Sequence, residues 1–529
     1  MKTELPKGKR IFLISLRSYI NSLDNKTFVW LSLLLYVGFA AVNAFTHEVW
    51  FDEIQAWLIA RDSTSIKGLF SNLTYEGHPP LWYLLLYILA KVIQHPAAMK
   101  LLHLLVATGT AYVFLRFAPF TRLQKLLFLF GYFLIYEYAA ISRNYAIGVF
   151  LIFCFCASFQ PGTGKKYFLL SIILSLLCQT NAYGWIITVS LLSFLIFEIY
   201  LDSKVRSLFF EKKLLIVFCF CLVLASLIFT AIVALSGSEI GLDEGWTTEF
   251  DPMRLKQTFG RVWRSFVPIP RLGKYSYWNT NLLPGKTMPA LLAIPLVVFL
   301  MLLFAKKRVI LFLFSFSYAG ILTFQYLKHS GSLRHNGHFY ILFIVCLWLF
   351  SFYQNDVKPK PNIMSKITDF CVKRKRAFLN VLLFTHLAVG FYASGMEWFC
   401  PFSSSRKIAR YITSQGLDEL PILGDSGFWS CPVGAHLNRL IYYPRQDRFG
   451  SFVILNEKEL KDNLGNLAED ELVKKGNHLA SDADSDVLFV LSYELGTDVN
   501  SLRPIEVFHL RTLWAEEDYY LYLLQVKNQ

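Results

Sequence analysis

Long apolar runs recur along the first three quarters of this chain, and many approach the roughly 20 residues needed to cross a bilayer as a helix. With 54% hydrophobic and 17% charged residues, the sequence is too apolar for an ordinary soluble domain. A polytopic α-helical membrane protein follows. The first run is too long for a signal peptide and lacks its small-residue cleavage site, so it is read as a retained span.

Spans are expected near 28–45, 97–115, 126–142, 146–160, 167–184, 186–200, 214–236, 289–304, 308–326, 339–354 and 377–395, about 11 in all, with 12 or 13 as the upper count. The net charge of +14 raises nucleic acid as a partner, but its distribution argues otherwise. The loops 1–27, 116–125, 161–166, 201–213, 305–308 and 355–376 hold 25 Lys+Arg against 6 Asp+Glu, leaving 27 and 32 elsewhere. That is the positive-inside bias of a membrane topology, not a phosphate-binding surface. It sets the basic N-terminus (1–27) inside, a membrane domain over 28–395 and the tail 396–529 outside. Loops 46–96 and 237–288, the second with LDEGW and an Arg- and Trp-rich stretch, then also fall outside. The segment PPLWYLLLYILAKVI (79–93) strains this count, since a span there would invert everything after it. It is read as an external or partly immersed helix opened by its Pro-Pro step. In the tail, PILGD, SFVIL, DVLFVLSY and YYLYLLQV read as strands, and SSSRKIARYITSQ and EKELKDNLGNLAED as helices, which makes a small α/β domain. Six of the nine cysteines lie in apolar runs; Cys400 and Cys431 lie outside, where an oxidising compartment could join them.

The chemistry-bearing residues collect at the expected outer face. Asp52-Glu53 opens the helix of HEVWFDEIQAWLIARD. Two acids there could simply complement the helix dipole, or one could be a general base at the membrane surface. Adjacent helical residues diverge by about 100°, so only one faces a site. Asp52 is the preferred base, and Glu53 shares a face with Arg61, which offers it a structural ion pair. His78 in GHPPLWY is a helix-entry cap or a donor to an anionic headgroup. Arg143 in ISRNYAIG is an interface anchor or a phosphate ligand, and Asn144 and Tyr145 sit beside it on the substrate side. Glu137, inside an apolar run, asks for a partner. LKHSGSLRHNGHFY (327–340) gathers Lys328, His329, Arg334, His335 and His338 in a short external turn. No carboxylate or cysteine accompanies its histidines, so neither a metal nor any other cofactor is indicated. A cationic nest for phosphate fits better, with Lys328, Arg334 and His335 on the phosphate and His338 on the substrate; a solvated polar turn is the alternative.

One carboxylate with several cationic groups at one face does not suit a glycosidase, whose leaving alkoxide needs a second, protonated carboxyl. A phosphate leaving group departs as an anion that Arg and Lys stabilise. Transfer of a sugar from a lipid-linked phosphate therefore fits.

The FDE loop, the GHPPLWYLLL step and the SRNYAIG element resemble the membrane-embedded GT-C glycosyltransferases. Within them the likeness is to the branch of protein O-mannosyltransferases and the bacterial aminoarabinose transferase of lipid A. It covers roughly residues 28–160, and the later spans follow it only in general plan. The resemblance implies a polyprenyl-phosphate sugar donor used on the non-cytoplasmic face, with a lipid, glycan or protein acceptor and no DxD metal site. It gives the base or acceptor-orienting role to Asp52, the second acid's place to Glu53 and the donor-phosphate role to Arg143; RHNGH has a looser counterpart. Short inner loops suit a bacterial inner membrane. Two other readings remain. A flippase or transporter of lipid-linked glycans would place its polar residues at the bilayer midplane, and an O-antigen ligase or polymerase would lack the FDE loop.

Overall fold

The computed structural model describes residues 22–74, 76–161, 166–235, 246–247, 249–354, 363–425, 427–455, 467–496 and 502–526. Most of the basic N-terminal segment, of LDEGW and of EKELKDNLGNLAED lies outside them. Eight described helices are long and apolar enough to cross a membrane: Asn25–Thr46, Ala97–Phe117, Ala182–Leu201, Lys213–Val233, Thr287–Phe304, Arg308–Leu327, Leu333–Phe350 and Ile363–Phe399. The protein is a multi-pass membrane protein. The segments expected at 146–160 and 167–184 are helical but shorter, Tyr145–Ser158 and Tyr167–Cys178. The segment at 79–93 forms the 10-residue helix Leu81–Ala90, about 15 Å long at 1.5 Å per residue and half of a bilayer core.

The stretch expected as one span over 126–142 is broken. A helix Arg122–Leu129 stops, and a single π-turn, Phe133–Glu137, follows. A broken helix at membrane depth persists only where protein groups satisfy the freed backbone. Here the Tyr36 hydroxyl donates to the Leu134 carbonyl at 2.7 Å, and Asn43 Nδ2 donates to Ile135 O at 3.1 Å. The helix Ile363–Phe399 presses against the break at Gly390, where a Cβ would stand 2.7 Å from Phe130 O.

The polar cluster after Lys328 also differs from the expected turn. Its helix begins at Leu333, six residues before the expected 339, so Arg334, His335 and His338 are buried in its first two turns. The helix is buried all round rather than along one stripe, the pattern of an element at the centre of a bundle.

The C-terminal domain carries a six-stranded mixed sheet, β1 (Ile422–Leu423), β2 (Ile441–Tyr443), β3 (Arg448–Gly450), β4 (Val487–Leu491), β5 (Leu502–Arg511) and β6 (Glu516–Leu524), in the order β3-β2-β1-β4-β6-β5. β1 pairs in parallel with β2 and β4, and helices Gly427–Leu437 and Glu469–Ala483 connect them. Central β4, buried at every position, is the continuous apolar run expected of a strand covered on both faces. PILGD, DVLFVLSY and YYLYLLQV contain strands, and SSSRKIARYITSQ contains the helix Ser405–Ser414. SFVIL does not form a strand. The Val453 backbone instead bonds both ends of the Gln55 amide, N–H to Oε1 at 3.1 Å and carbonyl from Nε2 at 2.6 Å. Cys400 and Cys431 are both free thiols; Cys431 is buried with its sulfur 3.4 Å from Ser451 O.

The Gln55 clamp, a Phe51–Phe428 edge contact at 4.4 Å and a bond from the Ser451 hydroxyl to Asp62 seat this domain along the helix Phe51–Asp62. That helix therefore lies between the membrane bundle and the sheet domain.

Candidate functional site

Asp52 and Glu53 leave the first turn of the helix Phe51–Asp62 in different directions, as their 100° separation requires. Glu53 is fully buried and turned inward. Its Oε2 meets His47 Nε2 at 2.7 Å and the Trp50 N–H at 3.4 Å, while Oε1 accepts the Ser142 N–H at 2.6 Å. Arg61 is not its partner, because Arg61 forks onto neighbouring Asp62 at 2.7 and 2.8 Å. The other His47 nitrogen meets Glu397 Oε1 at 3.1 Å, and the Tyr136 hydroxyl donates to Glu397 Oε2 at 2.6 Å. Burial works against a charge on His47, yet the carboxylates of Glu53 and Glu397 outweigh it and push its pKa up to about 10. Glu53 is held below the ordinary carboxylate range: burial opposes ionisation, but His47 and the Ser142 N–H prevail. A buried imidazolium between two carboxylates thus ties the end of the first span to the Asp52 helix, the 142–144 turn and the end of the Ile363–Phe399 helix.

Asp52 faces the cations. Its Oδ2 accepts from Arg334 Nη2 at 2.7 Å, and its side chain remains 26% exposed. Arg143 Nη1 donates to the Asp52 carbonyl, and its Nη2 donates to His78 Nε2 at 2.9 Å. Burial would raise the Asp52 pKa, but Arg334 and Arg143 override it and hold the carboxyl below its usual value. His78 is the reverse case. Burial and then Arg143 push it down to about 3, so it is neutral and accepts at Nε2. It orients Arg143 instead of adding charge.

The guanidinium of Arg334 is boxed by aromatic rings, 5.2 Å from Trp50, 5.6 Å from Trp278 and 5.7 Å from Tyr145. Its Nε and Nη1, and Nε of Arg143, are buried without a hydrogen-bond partner. Buried unsatisfied donors cost about 1–3 kcal/mol each, more when charged, so these three mark where an anion is wanted.

His335 accepts the Ser332 N–H at Nδ1 (2.7 Å), which leaves Nε2–H to donate to the Tyr145 hydroxyl at 2.6 Å. It is therefore a neutral support for Tyr145, not a phosphate cation. His338 donates from Nδ1 to His335 O (2.9 Å) and stacks on Tyr183 at 4.7 Å; its Nε2 is buried and unpartnered. Lys328 lies over the Trp246 ring at 5.8 Å. Asn144 turns inward at the start of helix Tyr145–Ser158 and donates from Nδ2 to Thr180 O at 2.8 Å.

Trp278 and Glu76 join the site without having been singled out in the sequence. Trp278, from the loop after helix Pro252–Phe266, donates from Nε1 to Glu137 Oε1 at 2.9 Å and walls Arg334. Glu137 finds its partners in Trp278 and Tyr132 (2.5 Å). Glu76, two residues before His78, is a second carboxylate in the neighbourhood. Gln55 and Tyr83 occupy its two oxygens at 3.0 and 3.2 Å, and burial raises its pKa. The EGHPP spacing was the one available hint.

No family model and no curated protein matches the sequence. Among solved structures, the chain is similar to ArnT from Cupriavidus metallidurans in its lipid-bound and apo states. With ArnT bound to undecaprenyl phosphate it shares 12% identity over 94% of this chain and 98% of that one, at a TM-score of 0.46. With apo ArnT it shares 12% identity over 93% and 97%, at a TM-score of 0.48.

Proposed function

We propose that this protein is an inverting glycosyltransferase that moves a sugar from a polyprenyl-phosphate donor to an acceptor hydroxyl at the non-cytoplasmic membrane face, in a bacterial inner membrane. One observation carries the reading: the Asp52 carboxylate, still partly exposed, sits against two arginines whose remaining buried donors have no partner. Glu53 is turned inward onto His47 and Ser142, and Glu76 has both oxygens engaged.

In this scheme the phosphate of the donor takes the free donors of Arg334 and Arg143, the planar forks that suit phosphate oxygens. Asp52 accepts the proton of the acceptor hydroxyl as its oxygen attacks the anomeric carbon. The bond from that carbon to the phosphate oxygen breaks, its electron pair stays on the phosphate, and the polyprenyl phosphate leaves as an anion neutralised by the arginines. One displacement inverts the anomeric centre. Trp50, Trp278 and Tyr145 offer flat apolar faces to the sugar, and Glu53 acts as a positioning residue through His47 and Ser142.

The test is Asp52→Asn in purified full-length protein, assayed with a panel of labelled polyprenyl-phosphate sugars. A general base contributes about 10²–10⁴-fold, so transfer should fall by that factor while labelled donor still binds. Full transfer activity in a folded Asp52→Asn protein would remove Asp52 as the base.

A further inference from the structure

A second charged cleft, of about 1190 Å³, lies where the membrane helices meet the C-terminal domain, and its lining includes none of Asp52, Arg143 or Arg334. Arg61, Lys100, Arg406 and Arg410 line it, with His436 from helix Gly427–Leu437. Against four cations stand two acids. Asp62 is taken by Arg61, and Glu48 meets Arg406 Nε at 2.9 Å. Lys100 Nζ rests on the neutral His47 carbonyl at 2.5 Å, and among the described residues Arg410 forms no ion pair. The cleft therefore carries an unpaired positive charge on Arg410, with Lys100 held beside it by the His47 carbonyl. His436 registers this field: burial, then Arg406, Lys100 and Arg410, push its pKa down to about 4, and its Nε2 has no partner.

The position of the cleft limits what can fill it. Phe45 near the end of one membrane helix and Lys100 near the start of another both line it, so it opens at the level where spans end. Phe45 is 49% exposed, and Leu101, next to Lys100, is 52% exposed, so apolar surface continues from the cleft along the helices. Its volume exceeds what a lone inorganic phosphate needs and lies just above the upper end of the range of sites for whole small molecules.

We propose that this cleft is a second anion site that holds the phosphate-bearing headgroup of a membrane lipid, with Lys100, Arg406 and Arg410 on the phosphate oxygens and the acyl chains along Phe45 and Leu101. The inference stands on this cleft alone and does not depend on the glycosyl-transfer reading.

Native mass spectrometry of the detergent-purified full chain titrated with phosphatidylglycerol tests it. Arg406→Gln/Arg410→Gln should weaken the tightest phosphatidylglycerol binding at least tenfold, while Arg374→Gln/Arg376→Gln, which removes the same charge elsewhere, should not. Arg410→Gln alone breaks no ion pair, so it keeps the test valid if the double variant fails to fold, and a severalfold loss is expected. Unchanged binding in the Arg410 variants, or an equal loss in the Arg374/Arg376 control, would overturn the proposal. So would inorganic phosphate binding as tightly as the lipid and displacing it, which would make the site one for the free ion.

Discussion

His47 is the group on which the geometry around Asp52 depends, and its replacement by glutamine has a calculable effect. The imidazolium is fully buried between Glu53 and Glu397, themselves 0% and 3% exposed. A rise of its pKa from 6.5 to about 10 corresponds to about 5 kcal/mol of preference for the charged form. Removing one partner of a buried ionic set costs about 3–5 kcal/mol, because an uncompensated charge stays behind. His47→Gln leaves two carboxylates facing a neutral amide, so a loss of about 3–5 kcal/mol is expected. The sign of its pH dependence follows from the direction of the shift. A group with a raised folded pKa contributes its full stability below its unfolded pKa and loses it as pH climbs through the folded one. The wild-type advantage over His47→Gln should therefore be complete below pH 6.5 and shrink steadily towards pH 10. Thermal unfolding in detergent, followed from pH 6 to pH 10, reads this directly; at the low end the midpoint should fall on the order of 5 °C. A midpoint difference that is absent, or constant across that range, would refute a charged His47 as the tie.

Arg334→Lys keeps the charge and removes the fork. With one or two charge-assisted hydrogen bonds at about 1.5–3 kcal/mol each at stake, donor KM should rise about 10- to 100-fold, and an unchanged KM would take Arg334 off the phosphate. Gly390→Ala should lower the unfolding midpoint by about 1–3 kcal/mol worth of stability, since its Cβ would stand 2.7 Å from Phe130 O and 3.0 Å from Tyr132 N. Gly38→Ala, where nothing lies within 4 Å, serves as the neutral comparison, and equal midpoints for the two would argue against close packing at the break.

What could be read in advance follows the range of the interaction involved. Hydrophobic periodicity and charge asymmetry are local properties, so the apolar helices, the divergence of Asp52 from Glu53 and the buried strand β4 were legible. The break near Gly131 was not, because the groups that satisfy it, Tyr36 and Asn43, stand some ninety residues away. His47 and Glu397 were invisible as partners for the same reason, being 350 positions apart. By sequence His78 reads as a cap or headgroup donor and His335 as part of a cationic nest; only their hydrogen-bond partners reveal that each accepts at one nitrogen and is neutral. β5 was hidden by Pro504 and its polar outward positions, features that belong at a sheet edge with a register shift. Helix Gly427–Leu437 was masked by an internal Pro432, and LDEGW stays beyond the described residues.

The Asp52–Arg334 contact raises a chemical difficulty whose resolution is itself testable. A carboxylate held below its usual pKa is a weak base, which is a poor starting point for taking a proton from a hydroxyl. Arg334 spends only Nη2 on Asp52, however, and its Nε and Nη1 are unpartnered. An arriving phosphate can therefore bind the same guanidinium without displacing Asp52. Its negative charge then cancels much of the field that Arg334 and Arg143 impose, and the Asp52 pKa must rise, since those two cations are what holds it down. The base would gain strength only when the leaving group is in place, which discourages proton transfer in the absence of donor. The acid limb of kcat/KM reports the free enzyme and that of kcat the complex. The kcat limb should thus lie at the higher pH, with activity lost as pH falls through it. Coincident limbs, or a kcat limb at the lower pH, would mean that the donor phosphate does not share Arg334 with Asp52.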